Sequence, residues 1–259
     1  MKNFRSQQRP KKNSLIAGRN AVINALKQGQ PLDRIYLHNK ASGDGVSELR
    51  KLAGLNNVPI NYVPVEKLDF FNAGIHEGCI GLLSKVKYME LQQVISWVVE
   101  KGEVPLFLIL DGITDIRNIG GIGRTAFSMG VQTIIIPDKG VGALNEDAIL
   151  TSAGALENIP VCRVGSLMKA VDELHLNGIS VLASEMKATD KVYEIDFTQP
   201  VAIVLGSEEK GIYPALLKIC DKKFSIPMPG EFESLNVSVA TGMILYEAMK
   251  QRLSINPTK

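Results

Sequence analysis

The sequence has few cysteines, no long apolar run and almost no net charge, and each shortage narrows the field. Cys79, Cys162 and Cys220 are odd in number and far apart, which argues against a disulfide framework or a thiolate metal site and fits a reducing cytoplasm. No apolar stretch approaches the roughly 18 residues that a membrane-spanning helix requires, and the basic N-terminus is not followed by the apolar core of a secretion signal. Neither a membrane nor a metal is therefore expected as a partner. A formal charge of +2 is too small to name one. Its distribution is uneven, however: Lys2, Arg5, Arg9, Lys11 and Lys12 fall in the first thirteen residues, which hold no acid. Such a tail reads equally as a solvated, disordered arm and as one that follows nucleic-acid phosphates.

What is present is an ordinary globular composition, 259 residues with 45% hydrophobic and 22% charged, enough for two domains. A short amphipathic helix is expected within residues 15–26. A strand at 34–37, a helix at 46–53, a strand at 59–63, a short helix at 65–71 and a strand at 79–83 follow, an alternating α/β unit ending near residue 87. His76 in that unit sits at a turn, and a local hydrogen bond suits it better than metal ligation, since no second ligand lies at metal spacing. Residues 88–103 hold a helix-like pattern, with Leu91, Val94, Ile95 and Val98 on one side, and read as a linker segment. From residue 104 to 253 the pattern is that of a parallel α/β sheet, with buried runs VPLFLIL, QTIIIP, ISVLA and PVAIVLG. Ligands of such sheets gather at the C-terminal strand ends.

Three strand-end segments are candidates for a site. Residues 226–247, IPMPGEFESLNVSVATGMILYE, change character midway. Pro227 and Pro229 forbid helix, whereas from about Asn236 the apolar residues Val237, Ala240, Met243, Ile244 and Ala248 recur at helical spacing. Ser234, Leu235 and Asn236 thus sit where a stiff loop enters a helix and backbone N–H groups face outward. Asn236 is equally a plain N-cap and Ser234 a turn residue. In a second segment, Gly206, Ser207 and Glu208 end the run VAIVLG; Gly206 permits a close backbone approach, and Glu208 suits either ribose binding or a helix N-terminus. The third is DGITDIRNIGGIGRTAFSMG. Its Gly121, Gly123 and Ala126 match a dinucleotide fingerprint, but some ten residues separate them from the strand end, where that fingerprint requires the turn. Asn118 and Arg124 fall in the first two turns of the expected helix there, and a surface salt bridge is an equal reading of Arg124.

Taken together, N-x-G-x-x-x-R-T-A at 118–126, G-S-E-x-x-G at 206–211, and I-P-M followed by S-L-N-V-S-V-A at 226–240 resemble the SpoU branch of the SPOUT RNA methyltransferases. GRNAVINAL at 18–26 and HEG at 76–78 are similar to the ribosomal-protein-L30e-like substrate-binding domain of that group. The layout is similar to that of the bacterial 23S rRNA guanosine 2′-O-methyltransferases. The resemblance implies an α/β chain: a small L30e-like unit over 14–87, then a parallel-sheet SPOUT domain with a C-terminal trefoil knot. It implies a homodimer with sites at the subunit interface, S-adenosylmethionine as methyl donor, and RNA as partner, 23S rRNA first and tRNA second. It also implies that Asn118, Arg124, Glu208, Ser234 and Asn236 are catalytic, while Leu205, Gly206, Ile226, Met228 and Leu235 hold the cofactor. Two positions depart from the family's pattern: Gly123 stands where a bulkier apolar residue is usual, and Glu209 replaces a glycine. A nicotinamide-dependent oxidoreductase and a non-catalytic RNA-binding protein are the competing readings.

Overall fold

In the computed structural model, residues 14–86, 88–142, 144–230 and 234–255 are described. The basic tail over 1–13 lies outside them. The chain divides into two compact units, residues 14–85 with 144–146, and the remainder.

The first unit carries strands β1 (Leu15–Ala17), β2 (Leu32–His38), β3 (Ile60–Val63) and β4 (Cys79–Leu83), in spatial order β1-β4-β2-β3. Helices α1 (Arg19–Lys27), α2 (Asp44–Leu55) and α3 (Val65–Phe70) join them. The expected elements form close to their expected places, with one addition. Residues 15–17 are a strand rather than the start of a helix, because they pair antiparallel with β4, more than sixty residues later. Val22, Leu26, Ile35, Leu37 and Leu49 fill the space between α1, α2 and the sheet. His76 makes the expected local bonds: its Nδ1 accepts from Gly78 N–H at 3.0 Å, which leaves Nε2 to donate to Asp69 at 2.9 Å.

The second unit opens with α4 (Leu91–Glu100). The segment read as a linker is therefore part of a domain: Leu91, Val94, Ile95 and Val98 belong to the second unit's core. Six parallel strands follow, β5 (Leu106–Asp111), β6 (Thr133–Pro137), β7 (Val161–Val164), β8 (Ser180–Ser184), β9 (Val201–Gly206) and β10 (Lys222–Phe224), in the order β10-β8-β9-β5-β6-β7. β5 and β9 are central and buried on both faces, which is why they read as unbroken apolar runs. β7 and β10 are the two edges; β10 is three residues long and begins with two exposed lysines, too short and polar for a periodicity signal. The helices are α5 (Ile116–Ser128), α6 (Glu146–Thr151), α7 (Ala155–Asn158), α8 (Leu167–Leu176), α9 (Pro214–Ile219) and α10 (Val237–Ile255).

Because all six strands run the same way, the segments leaving β5, β8, β9 and β10 emerge at one edge of the sheet. Helix α10 starts there and packs on α5. Its buried face is Val237, Thr241, Ile244, Leu245 and Ala248, so Met243, expected on that face, instead joins Val239 and Tyr246 in solvent. At its far end, Arg252 donates to the carbonyls of Val104, Pro105, Phe197 and Gln199 at 2.6–3.0 Å. Burial pushes this guanidinium down to about 10, still protonated at neutral pH. One side chain thus ties the end of α10 to the segments entering β5 and β9.

Candidate active site

Three of the expected residues meet in one hydrogen-bonded cluster. Asn236 Nδ2 donates to Glu208 Oε1 at 2.6 Å and to Asn118 Oδ1 at 2.9 Å, and Asn118 Nδ2 donates to the same Glu208 oxygen at 3.2 Å. Asn236 is also the N-cap of α10: its Oδ1 accepts from Ser238 N–H at 3.0 Å and from Ser238 Oγ at 2.5 Å. Glu208 in turn accepts from Val237 N–H at 3.2 Å, at the start of the same helix. Both residues therefore fill the structural roles expected of them, N-cap and helix N-terminal acid, and meet in one cluster as well. α5 has its own cap: Asp115 accepts from Arg117 N–H at 2.8 Å, and the Arg117 guanidinium holds its carboxyl below the usual carboxylate range.

Two cavities adjoin the cluster. The smaller, of 320 Å³, is lined by Leu205, Gly206, Ile226, Met228 and Leu235, and by Ser234 and Glu208. All five residues expected to hold a cofactor thus line one space, together with Ala240 of α10. The larger, of 660 Å³, is lined by Asp111, Asn118, Glu208 and Tyr213. Residues 207–211 line both. That wall folds back on its own strand: Ser207 N–H donates to Gly211 O at 3.2 Å, and Gly211 N–H to Ser207 O at 2.9 Å. A Cβ on Gly206 would stand 2.3 Å from Gly211 C and 2.4 Å from Ile212 N. Gly206 is thus required first by the chain's own loop, whatever ligand approaches it.

Arg124 is not brought to the cluster. It follows Asn118 by six residues on α5, which at 3.6 residues per turn rotates it well away from Asn118, and it lines neither cavity. It is exposed, beside exposed Phe127. The glycine fingerprint fails too: Gly121, Gly123 and Ala126 lie inside α5, not at a strand-to-helix turn.

Comparison with known proteins decides the family. The model of the SpoU rRNA methylase family matches residues 105–246, and that of the RNA 2′-O ribose methyltransferase substrate-binding family matches residues 15–89. The chain belongs to the SpoU rRNA methylase family. A putative TrmH family tRNA/rRNA methyltransferase of Bacillus subtilis (strain 168) is 35% identical over 237 residues, 92% of this chain and 95% of its own. Among solved structures, the A. aeolicus TrmH/SpoU tRNA modifying enzyme is 30% identical with a TM-score of 0.54, covering 64% of this chain and 86% of its own. The SpoU methyltransferase AviRb from Streptomyces viridochromogenes, in complex with the cofactor AdoMet, shares the fold at 24% identity and a TM-score of 0.58, covering 93% of this chain and 90% of its own.

Both departures from the SpoU pattern now have a location. Gly123 is buried, and a Cβ there would lie 2.5 Å from Leu156 Cδ2, so α7 fills the space that a bulkier residue would need. Glu209 lines both cavities. Sequence reasoning missed Asp111 and Tyr213, joined by a 2.6 Å bond from Tyr213 N–H to Asp111 Oδ2. The available signal was a carboxylate at the end of a buried strand, followed by glycine. None of the three cysteines lines either cavity, and burial pushes the Cys79 thiol up to about 12 and Cys162 and Cys220 up to about 11.

Proposed function

We propose that the chain transfers the methyl group of S-adenosylmethionine to the 2′-oxygen of a guanosine ribose in RNA, with 23S rRNA as that RNA. The observation that carries this reading is the Asn118–Glu208–Asn236 cluster standing between two cavities, one for each reactant. The smaller cavity suits the methyl donor. Its lining sets apolar side chains, Leu205, Ile226, Met228, Leu235 and Val237 among them, apt for an adenine ring, beside polar ones such as Ser184, Glu185 and Ser234.

When bound, S-adenosylmethionine supplies a methyl group already activated on a sulfonium. The chain then has to align a ribose oxygen and help it lose its proton, and alignment alone contributes several kcal/mol. Glu208 commits Oε1 to the two asparagines and the α10 amide and keeps Oε2 for the ribose. Asn118 holds that carboxylate from the acceptor side, and Asn236 couples it to the donor loop, which Ser234 and Leu235 shape. In this reading Arg124 binds the adjacent phosphate and stabilises the developing alkoxide.

Arg124 faces away from its own cluster, so we assign it to the site of a second copy in a homodimer. The exposed apolar residues Phe127, Val239, Met243 and Tyr246 support that dimer: α10 is apolar on two faces, and only one is covered. We further propose that the second unit carries the C-terminal trefoil knot, that the first unit and the basic tail grip RNA, and that the setting is cytoplasmic, in keeping with free cysteines. A tRNA is the second reading, favoured by the A. aeolicus relative's name. Mapping ribose methylation in total RNA from cells with and without the protein tests the activity and its target together. The expected result is one guanosine of 23S rRNA that loses its 2′-O-methyl group. A lost tRNA site selects the second reading, and no lost site, with no methyl transfer to deproteinised RNA, leaves a non-catalytic RNA-binding protein.

A further inference from the structure

The larger cavity has a chemistry that its place beside the cluster does not explain. Among the described residues its lining carries Asp111, Asp115, Glu208 and Glu209 against one cation, Lys210. Such a space disfavours a phosphate, and of the parts of a nucleotide it suits the uncharged base. The four carboxylates are not equivalent. Asp115 is engaged by Arg117, and Glu208 by Asn118, Asn236 and Val237. Asp111 accepts from Tyr213 N–H through Oδ2 at 2.6 Å, while its Oδ1 has no hydrogen-bond partner among the described residues. It is half-buried at the end of a central strand, which fixes its position.

We propose that this cavity receives the base of the acceptor nucleotide and that Asp111 selects guanine. The proposal rests on the methyl-transfer reading above. A carboxylate offers only acceptors. Guanine alone among the four RNA bases presents two adjacent donors, N1–H and the 2-amino group, on its Watson–Crick edge. Adenine and cytosine set a ring-nitrogen acceptor beside their amino group, and uracil flanks N3–H with two carbonyls; each turns lone pairs toward the carboxylate. Tyr213 completes the site. The residue is 63% exposed and lines the same cavity, so its ring is available to stack on an unpaired base as aromatic side chains do in single-stranded RNA recognition. Its amide is bonded to Asp111, so one hydrogen bond ties the backbone of Tyr213 to the carboxylate.

The test uses the full chain saturated with S-adenosylhomocysteine and titrated with GMP, IMP, which lacks the 2-amino group, and AMP. Wild-type protein is expected to bind GMP about tenfold more tightly than IMP or AMP, the scale of a hydrogen bond to a charged acceptor. Asp111→Asn keeps an oxygen for Tyr213 N–H but replaces the free acceptor with a donor. It is expected to bring GMP within about twofold of IMP while S-adenosylhomocysteine affinity is unchanged, since Asp111 does not line the smaller cavity. Tyr213→Ala is expected to weaken all three nucleotides alike, by about tenfold. Equal affinities in the wild type, a guanine preference that survives Asp111→Asn, or no mononucleotide binding overturns the proposal. If wild-type protein fails to bind S-adenosylhomocysteine, the methyl-transfer reading falls, and this proposal with it; cofactor binding without guanine preference overturns this proposal alone.

Discussion

Asn236 holds two posts: it caps α10 through Oδ1 and ties Asn118 to Glu208 through Nδ2. These posts can be separated. Serine is a good N-cap but too short to make the Nδ2 contacts, so Asn236→Ser is expected to keep stability within about 0.5 kcal/mol, while Asn236→Ala loses about 1 kcal/mol. Both are expected to lower the methyl-transfer rate by tenfold or more, and urea unfolding beside a turnover assay checks the distinction. Gly123 makes an opposite case, a residue that acts by what it leaves out. Gly123→Leu forces a side chain against Leu156 and is expected to cost about 2 kcal/mol in urea unfolding. Of these facts the sequence disclosed little. The cap was legible at Asn236 because Asn, Ser and Asp have a known local habit. Its bond to Glu208 spans 28 positions, and no local pattern reports such a pairing; the strand-end positions put both in one region, and only the resemblance paired them as residues. Asp111 escaped notice because a single acid ending a strand has no spacing to reveal it.

At the scale of elements, central strands were legible and edges were not. β5 and β9 are covered on both faces, and their apolar runs say so. β1 and β10 each have three residues and exist through pairing with distant strands, which periodicity cannot detect. Helix α10 was legible as a helix, and Val237, Ile244 and Ala248 of its expected face are inward, but Met243 was misplaced because apolar residues lie on both sides. Its end shows the same limit. Arg252 looks like any basic residue in a last helical turn, yet it satisfies four carbonyls. Arg252→Met strands those acceptors in a partly buried place and is expected to cost about 3 kcal/mol. Thermal unfolding of that variant, with Lys250→Met as an exposed control, measures it.

For the whole molecule, the position of Arg124 makes the proposed dimer testable without a structure of it. If each site takes Asn118 from one copy and Arg124 from the other, Arg124→Ala and Asn118→Ala proteins are each inactive alone. After mixing and exchange, half the dimers are heterodimers and each regains one intact site, so about a quarter of wild-type activity is expected to return. No recovery, under conditions where exchange is shown by sedimentation, removes the cross-copy assignment. Tyr246→Glu places a charge on the exposed apolar face of α10 and is expected to yield monomers that still bind S-adenosylhomocysteine but transfer no methyl group.

The place of α10 in chain order has its own consequence. β5, α5, β9 and the wall at 207–211 all leave the ribosome before residue 236, so a growing chain displays Leu205, Ile226 and Met228 with no helix over them. Domains assemble in the order of synthesis, and here the final helix supplies Val237, its amide for Glu208 and the Arg252 fastening together. A product broken off before that helix therefore lacks a finished pocket and carries an uncovered apolar surface, the feature by which cellular quality control distinguishes fragments from completed protein.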